Sequence, residues 1–203
     1  MIASSMSENH HSHLIGLSGT LGAGKDVYAR HLANKYDFLH VSTGDLIREI
    51  ALQKGLDIER PTLIELGSQL RREYRSYGAL VIKAIEKWQD TTGESSRGLV
   101  VSGLRVVGEA NEVIDRGGKL VFIDAPRSLR YARIIQRQRD CESSVSLEEF
   151  TSRDEAEFNG STHDNARPNL SVIQKISHLV VSNTFADEIH FCEHVDRELN
   201  NLK

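Results

Sequence analysis

The residues with the clearest chemistry lie near the amino terminus, where glycines and a lysine follow a short apolar run. The segment GTLGAGK, from Gly19 to Lys25, satisfies the spacing G-x-x-x-x-G-K. Glycines allow successive backbone N–H groups to turn inward around phosphate oxygens, and the lysine supplies a mobile cation for the outer phosphates. Because apolar LIGLS precedes the segment and a helical pattern follows it, we predict a nucleotide phosphate site. The predicted nucleotide-binding residues are Gly19, Thr20, Leu21, Gly22, Ala23, Gly24, Lys25 and Asp26.

Asp26 departs from the usual ending of this motif, in which a Ser or Thr hydroxyl contacts Mg²⁺. A carboxylate is a hard oxygen ligand, so Asp26 can contact Mg²⁺ directly or through water. A carboxylate in the first turn of a helix also favours the helix dipole without any metal. Both alternatives place the side chain at the same end of the same helix, and both stay open. Asp26 is the candidate metal ligand, and ATP and Mg²⁺ are the predicted cofactors.

A later helical segment, SLRYARIIQRQRD, carries a row of arginines. Arg130, Arg133 and Arg137 recur at i, i+3 and i+7, so they share one face of the helix. This face is either a solvated surface balanced by acidic residues such as Asp154, or a cluster that neutralises phosphate charge.

Further arginines are candidates for holding a second anionic group. Guanidinium forks bind phosphate bidentately, which makes Arg48, Arg71 and Arg105 candidate substrate-binding residues. Adjacent helical positions diverge by about 100°, so Arg71 and Arg72 cannot both face one ligand. One of that pair is expected at the surface.

Five apolar runs rich in β-branched residues alternate with helical patterns along the chain. The runs are HLIGLS, FLHVS, GLVVSG, KLVFIDA and HLVVSN, and most are continuous, as in strands buried on both faces of a parallel sheet. Strands alternating with helices predict a doubly wound α/β fold. Together with the phosphate motif, they predict the three-layer P-loop NTPase fold, a five-stranded parallel sheet flanked by helices, with a short lid.

Composition limits the setting and the partners of the protein. The chain is 39% hydrophobic and 27% charged, and no apolar run approaches the roughly 20 residues that cross a bilayer. A formal net charge of −4 argues against a nucleic-acid partner and leaves a small molecule as the expected one. Cys141 and Cys192 show no metal-ligand spacing and suit a reducing compartment. We predict a cytoplasmic protein that does not bind membranes and is a monomer or a homodimer.

The segments GTLGAGKD and STGDLIR, the latter starting at Ser42, resemble those of adenylate kinases and related nucleoside monophosphate kinases. VVSGLRVVGEANEV, LVFIDAPRSLRYARIIQRQRD and SLEEFTSRDEAEF resemble a little-characterised archaeal and bacterial group related to adenylate and dephospho-coenzyme A kinases. The resemblance runs from about residue 14 to residue 183. It implies that Lys25, Arg133 and Arg137 stabilise charge on the transferred group, and that Thr43 and Asp45 bind the phosphate acceptor. Apart from this resemblance, Ser42 followed three residues later by Asp45 is also the pattern of a helix capping box, which would only stabilise the helix.

The chain departs from the family pattern at the third strand and in the lid. The adenylate kinase signature Gly-Phe-Pro-Arg is here Ser102-Gly103-Leu104-Arg105, which keeps the glycine and the arginine but makes adenylate kinase itself a poorer match. Ser102 also replaces the acidic residue that often closes this strand, so Mg²⁺ anchoring would fall to Asp26 or Asp124. No zinc-type lid is encoded between Arg139 and residue 155.

The expected organisation is a disordered tail over residues 1–13 and a single P-loop kinase domain over residues 14–203. Within the domain, about 45–90 would form the helical acceptor-binding region and about 127–168 the lid region. The expected activity is ATP-dependent phosphotransfer to a nucleoside or deoxynucleoside monophosphate, with dephospho-coenzyme A as the alternative acceptor. An alternative from another class is a nucleotide-binding regulator or slow ATPase without acceptor-stimulated turnover.

Overall fold

A computed structural model describes residues 13–92, 96–137, 146–160 and 167–202, and for Thr92 and Arg137 it describes the backbone alone. Five parallel strands form one sheet in the order β2-β3-β1-β4-β5 within these ranges. The strands are β1 (Leu14–Gly19), β2 (Phe38–Ser42), β3 (Gly98–Leu104), β4 (Lys119–Asp124) and β5 (Leu179–Ser182). The five apolar runs of the sequence are therefore the five strands, and the predicted fold class is confirmed.

Nine helices surround this sheet in the described ranges. They are α1 (Lys25–Tyr36), α2 (Thr43–Gln53), α3 (Arg60–Tyr74), α4 (Ala79–Thr92), α5 (Val107–Asp115), α6 (Arg127–Arg137), α7 (Leu147–Phe158), α8 (Leu170–Ile176) and α9 (Glu188–Asn200). Pro61 lies in the first turn of α3, where its missing N–H has no intrahelical partner to lose. Helix α4 begins directly after Gly78, so α2, α3 and α4 form an all-helical excursion between β2 and β3.

Apolar side chains form two cores, one on each face of the sheet. One core joins strand residues such as Leu99 and Phe122 to α2, α3, α4, α5 and α8. The other joins Ile15 and Val121 to α1 and α9. Every residue of β1 is buried because this strand lies at the centre of the sheet with helices on both sides.

A buried carboxylate fastens the last helix to the first. Asp196 of α9 accepts hydrogen bonds from the hydroxyls of Tyr28 and Tyr36, at 3.1 and 2.7 Å, and from Lys35 Nζ at 2.9 Å. The ring of His31 lies 2.8 Å from the same carboxylate. These hydrogen bonds hold the pKa of Asp196 below its ordinary value despite its burial. The contact fixes α1, the helix that follows the predicted phosphate loop.

Some predictions fall outside the described residues. Residues 1–12 of the predicted tail, Arg139, Cys141, and residues 138–145 and 161–166 of the predicted lid region are among them. Cys192 is buried in α9. No helix within the described ranges is both long and apolar enough to cross a membrane.

Candidate functional site

The predicted phosphate loop connects the end of β1 to the start of α1 at the carboxyl edge of the sheet. Its glycines adopt backbone conformations that other residues rarely take, with φ of 135° at Gly19, 80° at Gly22 and 107° at Gly24. A Cβ on Gly19 would lie 1.8 Å from the carbonyl oxygen of Ile123, so no larger residue fits there. Gly24 caps α1 without any side-chain hydrogen bond, which leaves the positive end of the helix dipole facing the loop.

The side chain of Lys25 is half-buried and lies over this loop. Its Nζ donates to the carbonyl oxygens of Gly19 at 2.9 Å and Thr20 at 2.7 Å. Burial, followed by repulsion from Arg105, lowers the pKa of Lys25 to about 8. A desolvated cation gains strongly from a phosphate anion. The loop therefore has the shape and the charge to bind nucleotide phosphates.

The loop is held in place by two neighbouring strand ends. Thr20 Oγ1 donates to Asp124 Oδ1 at 2.5 Å, and the Thr20 N–H donates to the carbonyl of Ile123 at 3.2 Å. Asn183 follows β5, and its side-chain amide donates to the carbonyl of Ala23 at 2.8 Å. These contacts anchor the loop to the ends of β4 and β5.

Arg130 is a buried residue that links the loop to α7. It is 5% exposed, and its guanidinium pairs with Asp154 of α7 in two bonds of 2.6 and 2.7 Å. The same group donates to the carbonyls of Ala125 at 2.8 Å and Leu21 at 3.3 Å. Arg130 thus does not share a ligand-facing or solvated surface with Arg133, although the helical spacing places both on one side of α6. Its burial follows from the packing of α7, which spacing within α6 cannot reveal.

A cavity of about 450 Å³ opens beside the loop, between α6 and the segment that follows β5. Gly22, Gly24, Ile134 and Phe185 contribute to its wall. Arg133 crosses it and donates to the carbonyls of Asn183 and Phe185 at 3.3 and 3.5 Å.

Two residues that line this cavity each have a buried polar atom with no hydrogen-bond partner among the described residues. The atoms are Arg133 Nη1 and Asn183 Oδ1. Buried polar groups are ordinarily paired, so a polar ligand is expected here. The sequence gives no signal for Asn183 or Phe185 beyond their place after a strand.

The second cluster of predicted residues follows β2 and opens α2. Ser42 caps α2 by accepting a hydrogen bond from the N–H of Asp45 at 3.3 Å. The Asp45 carboxylate does not return the bond as in a capping box; it contacts Arg48 at 3.2 Å, and its side chain is 81% exposed. Thr43 is buried and donates to the carbonyl of Gly103 at 3.0 Å. Asp45 and Arg48 are thus open to a ligand, whereas the Thr43 hydroxyl ties α2 to β3.

Arg105 follows β3 at the strand end that lies beside the end of β1, and its charge contributes to the lowered pKa of Lys25. It is half exposed and pairs with Glu157 of α7 at 3.0 Å. Buried Glu109 accepts hydrogen bonds from the backbone N–H groups of Arg105 and Val106, at 3.1 and 3.3 Å, and so fixes the turn. Burial raises the pKa of Glu109, and the charge of Arg71 opposes that rise.

The two neighbouring arginines of α3 differ in exposure and in partners. Arg71 is half-buried, lies near Glu109 and bonds Ser68, whereas Arg72 is exposed and pairs with Glu65. Arg71 is therefore the member of the pair that the fold directs toward the sheet.

Comparison with known proteins agrees with this geometry. The model of the AAA domain family matches residues 18–150. The chain belongs to this family. Among curated relatives, a UPF0200 protein of Aeropyrum pernix is 33% identical over 133 residues, which is 64% of this chain and 67% of the relative. A cytidylate kinase of Haloquadratum walsbyi is 31% identical over 168 residues, 78% of this chain and 79% of the relative.

The solved structures support the same fold. A shikimate kinase of Acinetobacter baumannii in complex with shikimate aligns with a TM-score of 0.59 and 17% identity, covering 94% of this chain and 95% of that one. At this identity the likeness concerns the fold alone. Taken with the family match, the chain is a kinase-like enzyme with a nucleotide-binding P-loop, and the predicted relationship to P-loop nucleoside monophosphate kinases is confirmed.

The P-loop surroundings are compatible with a nucleotide-bound Mg²⁺ rather than with a protein-caged metal. No group of three or more His, Cys, Asp or Glu side chains in the described part of the chain could hold an ion. Mg²⁺ beside a nucleotide takes most of its ligands from phosphate and water, so one or two carboxylates suffice. Asp26 lies in the first turn of α1, beside Lys25, and Asp124 is half exposed at the end of β4. These residues fit the ion that such a nucleotide carries.

Ser102, which stands where the family resemblance leads us to expect an acidic residue, contacts His40 of the neighbouring strand. His40 Nε2 and the buried Ser102 Oγ are 2.8 Å apart on neighbouring strands. Burial lowers the pKa of His40, and the charges of Asp26 and Asp45 oppose this effect. His40 thus lies within electrostatic range of both predicted carboxylates. No sequence pattern singles out His40.

Proposed function

We propose that this protein is an ATP-dependent phosphotransferase whose acceptor is a nucleoside or deoxynucleoside monophosphate. The observation that carries the proposal is the proximity of two separate anion sites at one sheet edge. Lys25 and the P-loop, which follow β1, form the first, and Arg105, which follows the neighbouring strand β3, forms the second. An enzyme that joins two phosphates requires two such sites in contact. The cytidylate kinase relatives make cytidine monophosphate the first acceptor to test.

In this proposal, bound Mg²⁺ would neutralise charge on the phosphoryl group that is transferred. Lys25 and the P-loop N–H groups hold the donor phosphates, and the cavity beside Arg133 takes the nucleoside of ATP. Arg133 and Arg137 are proposed to add positive charge on the donor side. Such enzymes need positioning and charge neutralisation more than covalent chemistry, which suits the groups present.

Arg105, Arg71 and Arg48 are proposed to bind the acceptor phosphate, with Thr43 positioning α2 against β3. An acceptor phosphate needs no general base, because its oxygen is already ionised. Asp45 then binds the acceptor sugar or water molecules on Mg²⁺. For a hydroxyl acceptor such as that of dephospho-coenzyme A, Asp45 would instead orient the hydroxyl or accept its proton.

A coupled assay of ADP release with Mg·ATP tests this proposal. The acceptors are ribo- and deoxynucleoside monophosphates, and dephospho-coenzyme A. We expect one monophosphate, cytidine monophosphate first, to stimulate release. Removing a bidentate phosphate contact in Arg105→Gln should raise KM for that acceptor by about tenfold, or about 1.4 kcal/mol, with KM for ATP nearly unchanged.

The control for this assay is Arg72→Gln, which changes an exposed arginine paired with Glu65. Its kinetic constants should equal those of the wild type. If dephospho-coenzyme A alone stimulates ADP release, the acceptor is dephospho-coenzyme A and not a nucleoside monophosphate. Slow release that no acceptor changes would favour the regulator or slow ATPase and contradict the kinase.

We further propose that Asp26 serves the Mg²⁺ ion of the bound nucleotide. In Asp26→Ser, the Mg²⁺ concentration that gives half-maximal activity should rise roughly tenfold, as when a metal-orienting group is lost. Titration of Mg²⁺ at fixed ATP measures this. If Asp26 only favours the helix dipole, the Mg²⁺ dependence stays unchanged and the free energy of unfolding falls by about 0.3–1 kcal/mol.

A further inference from the structure

Helix α7 carries two carboxylates, one near the P-loop and the other near the proposed acceptor site. Asp154 and Glu157 of α7 are three residues apart and lie on one face of the helix. Asp154 pairs with buried Arg130 beneath the P-loop, whereas Glu157 reaches Arg105 on the acceptor side. The first pair is buried in the fold. The second is not: the side chains of Arg105 and Glu157 are 47% and 21% exposed.

The surroundings of Glu157 are those of an anion site. Its carboxylate lies 3.0 Å from the guanidinium of Arg105, and its charge also acts on Lys25 at the P-loop. Both cations are the groups that the proposed reaction assigns to phosphates. A carboxylate and a phosphate monoester both accept two parallel bonds from a guanidinium. Glu157 therefore offers Arg105 the same chemistry as an acceptor phosphate.

We propose that Glu157 stands in for the anionic group of the acceptor, so that Glu157 and the acceptor compete for Arg105. This inference rests on the proposed function, which assigns Arg105 to the acceptor. It makes Glu157 a specificity-determining residue. A phosphate dianion gains more from Arg105 and Lys25 than a single carboxylate does and can displace it, whereas an uncharged acceptor cannot.

The sign of a charge-removing substitution distinguishes this proposal from a supporting role. If Glu157 competes, Glu157→Gln removes the internal anion and strengthens binding of external anions. If Glu157 orients Arg105 for the acceptor, or binds the acceptor itself, the same substitution weakens binding. The matched control is Glu155→Gln, which removes a charge two residues away where the carboxylate pairs with Arg127 instead.

The experiment titrates inorganic phosphate into protein saturated with Mg²⁺ and a non-hydrolysable ATP analogue, so that the P-loop is already filled. Binding is followed through the backbone amide signals of residues 104–106 by nuclear magnetic resonance. In Glu157→Gln we expect the Kd for phosphate to fall roughly two- to fivefold, the range for a partly exposed ion pair. In Glu155→Gln it should stay at the wild-type value. In Arg105→Gln, adding Glu157→Gln should give no gain.

An unchanged or higher Kd in Glu157→Gln overturns the inference, as does a gain that persists without Arg105. This outcome is separate from that of the kinase assay. If no acceptor in the panel is phosphorylated but the Kd falls as expected, the competition stands and the proposed reaction fails. If cytidine monophosphate is phosphorylated and Kd does not fall, the reaction stands and the competition fails.

Discussion

Lys25→Met should lower kcat for phosphotransfer by about 10²–10³-fold, which corresponds to about 3–4 kcal/mol of lost transition-state stabilisation. The reason is the position of its ammonium group, which lies over the P-loop within hydrogen-bond distance of the Gly19 and Thr20 carbonyls. Methionine keeps the length of the side chain and removes the charge. Single-turnover transfer from ATP measures the chemical step, and calorimetry measures nucleotide binding separately.

The folded state should tolerate this substitution. Lys25 is desolvated and repelled by Arg105, both of which lower its pKa, so the charge costs the fold free energy without nucleotide. We expect the free energy of unfolding of Lys25→Met to equal or exceed that of the wild type. Lys175→Met, at an exposed position of α8, is the matched control and should retain wild-type turnover. A Lys25→Met enzyme within tenfold of wild-type kcat would contradict the assigned role.

The sequence predicts the sheet well because burial on both faces leaves continuous apolar runs. The predicted run FLHVS coincides with β2, and the other runs differ from their strands by one residue at one or both ends. The P-loop is predicted equally well, because its backbone conformations require glycine at fixed spacing. In both cases the physical constraint acts within a few neighbouring residues.

Other features depend on contacts between distant segments and cannot be predicted from one sequence. The helical spacing correctly groups Arg130 with Arg133, yet only the packing of α7 shows that Arg130 is buried against Asp154. Asn183 is one polar residue after a strand until the fold brings it to Ala23. The short helix α8 covers two turns, which is too little periodicity to recognise. Such residues are fixed by tertiary packing rather than local pattern.

The buried pair of Arg130 and Asp154 is expected to dominate the stability of the region around the P-loop. Each side chain is 6% exposed, and the two share a bidentate contact above the ring of Phe150. Asp154→Ala leaves the guanidinium buried without its partner, which should lower the free energy of unfolding by about 3–5 kcal/mol. Urea unfolding measures this. Where Asp154→Ala does not fold, Asp154→Asn keeps the shape and one acceptor and should lose less.

Replacement of the whole pair separates charge compensation from packing. The double variant Arg130→Met/Asp154→Leu buries apolar groups instead of a pair of ions, and such exchanges are often neutral or stabilising. We expect it to regain most of the stability lost in Asp154→Ala, yet to raise KM for ATP, because the Leu21 carbonyl of the P-loop loses the donor that turns it outward. Arg127→Ala is the control: this half-exposed arginine also contacts Asp154, at 3.5 Å, and its loss should cost about 1 kcal/mol or less. If the double variant binds ATP as the wild type does, Arg130 stabilises the fold without positioning the loop, and the shape of the P-loop follows from its glycines and from Thr20 and Asn183 alone.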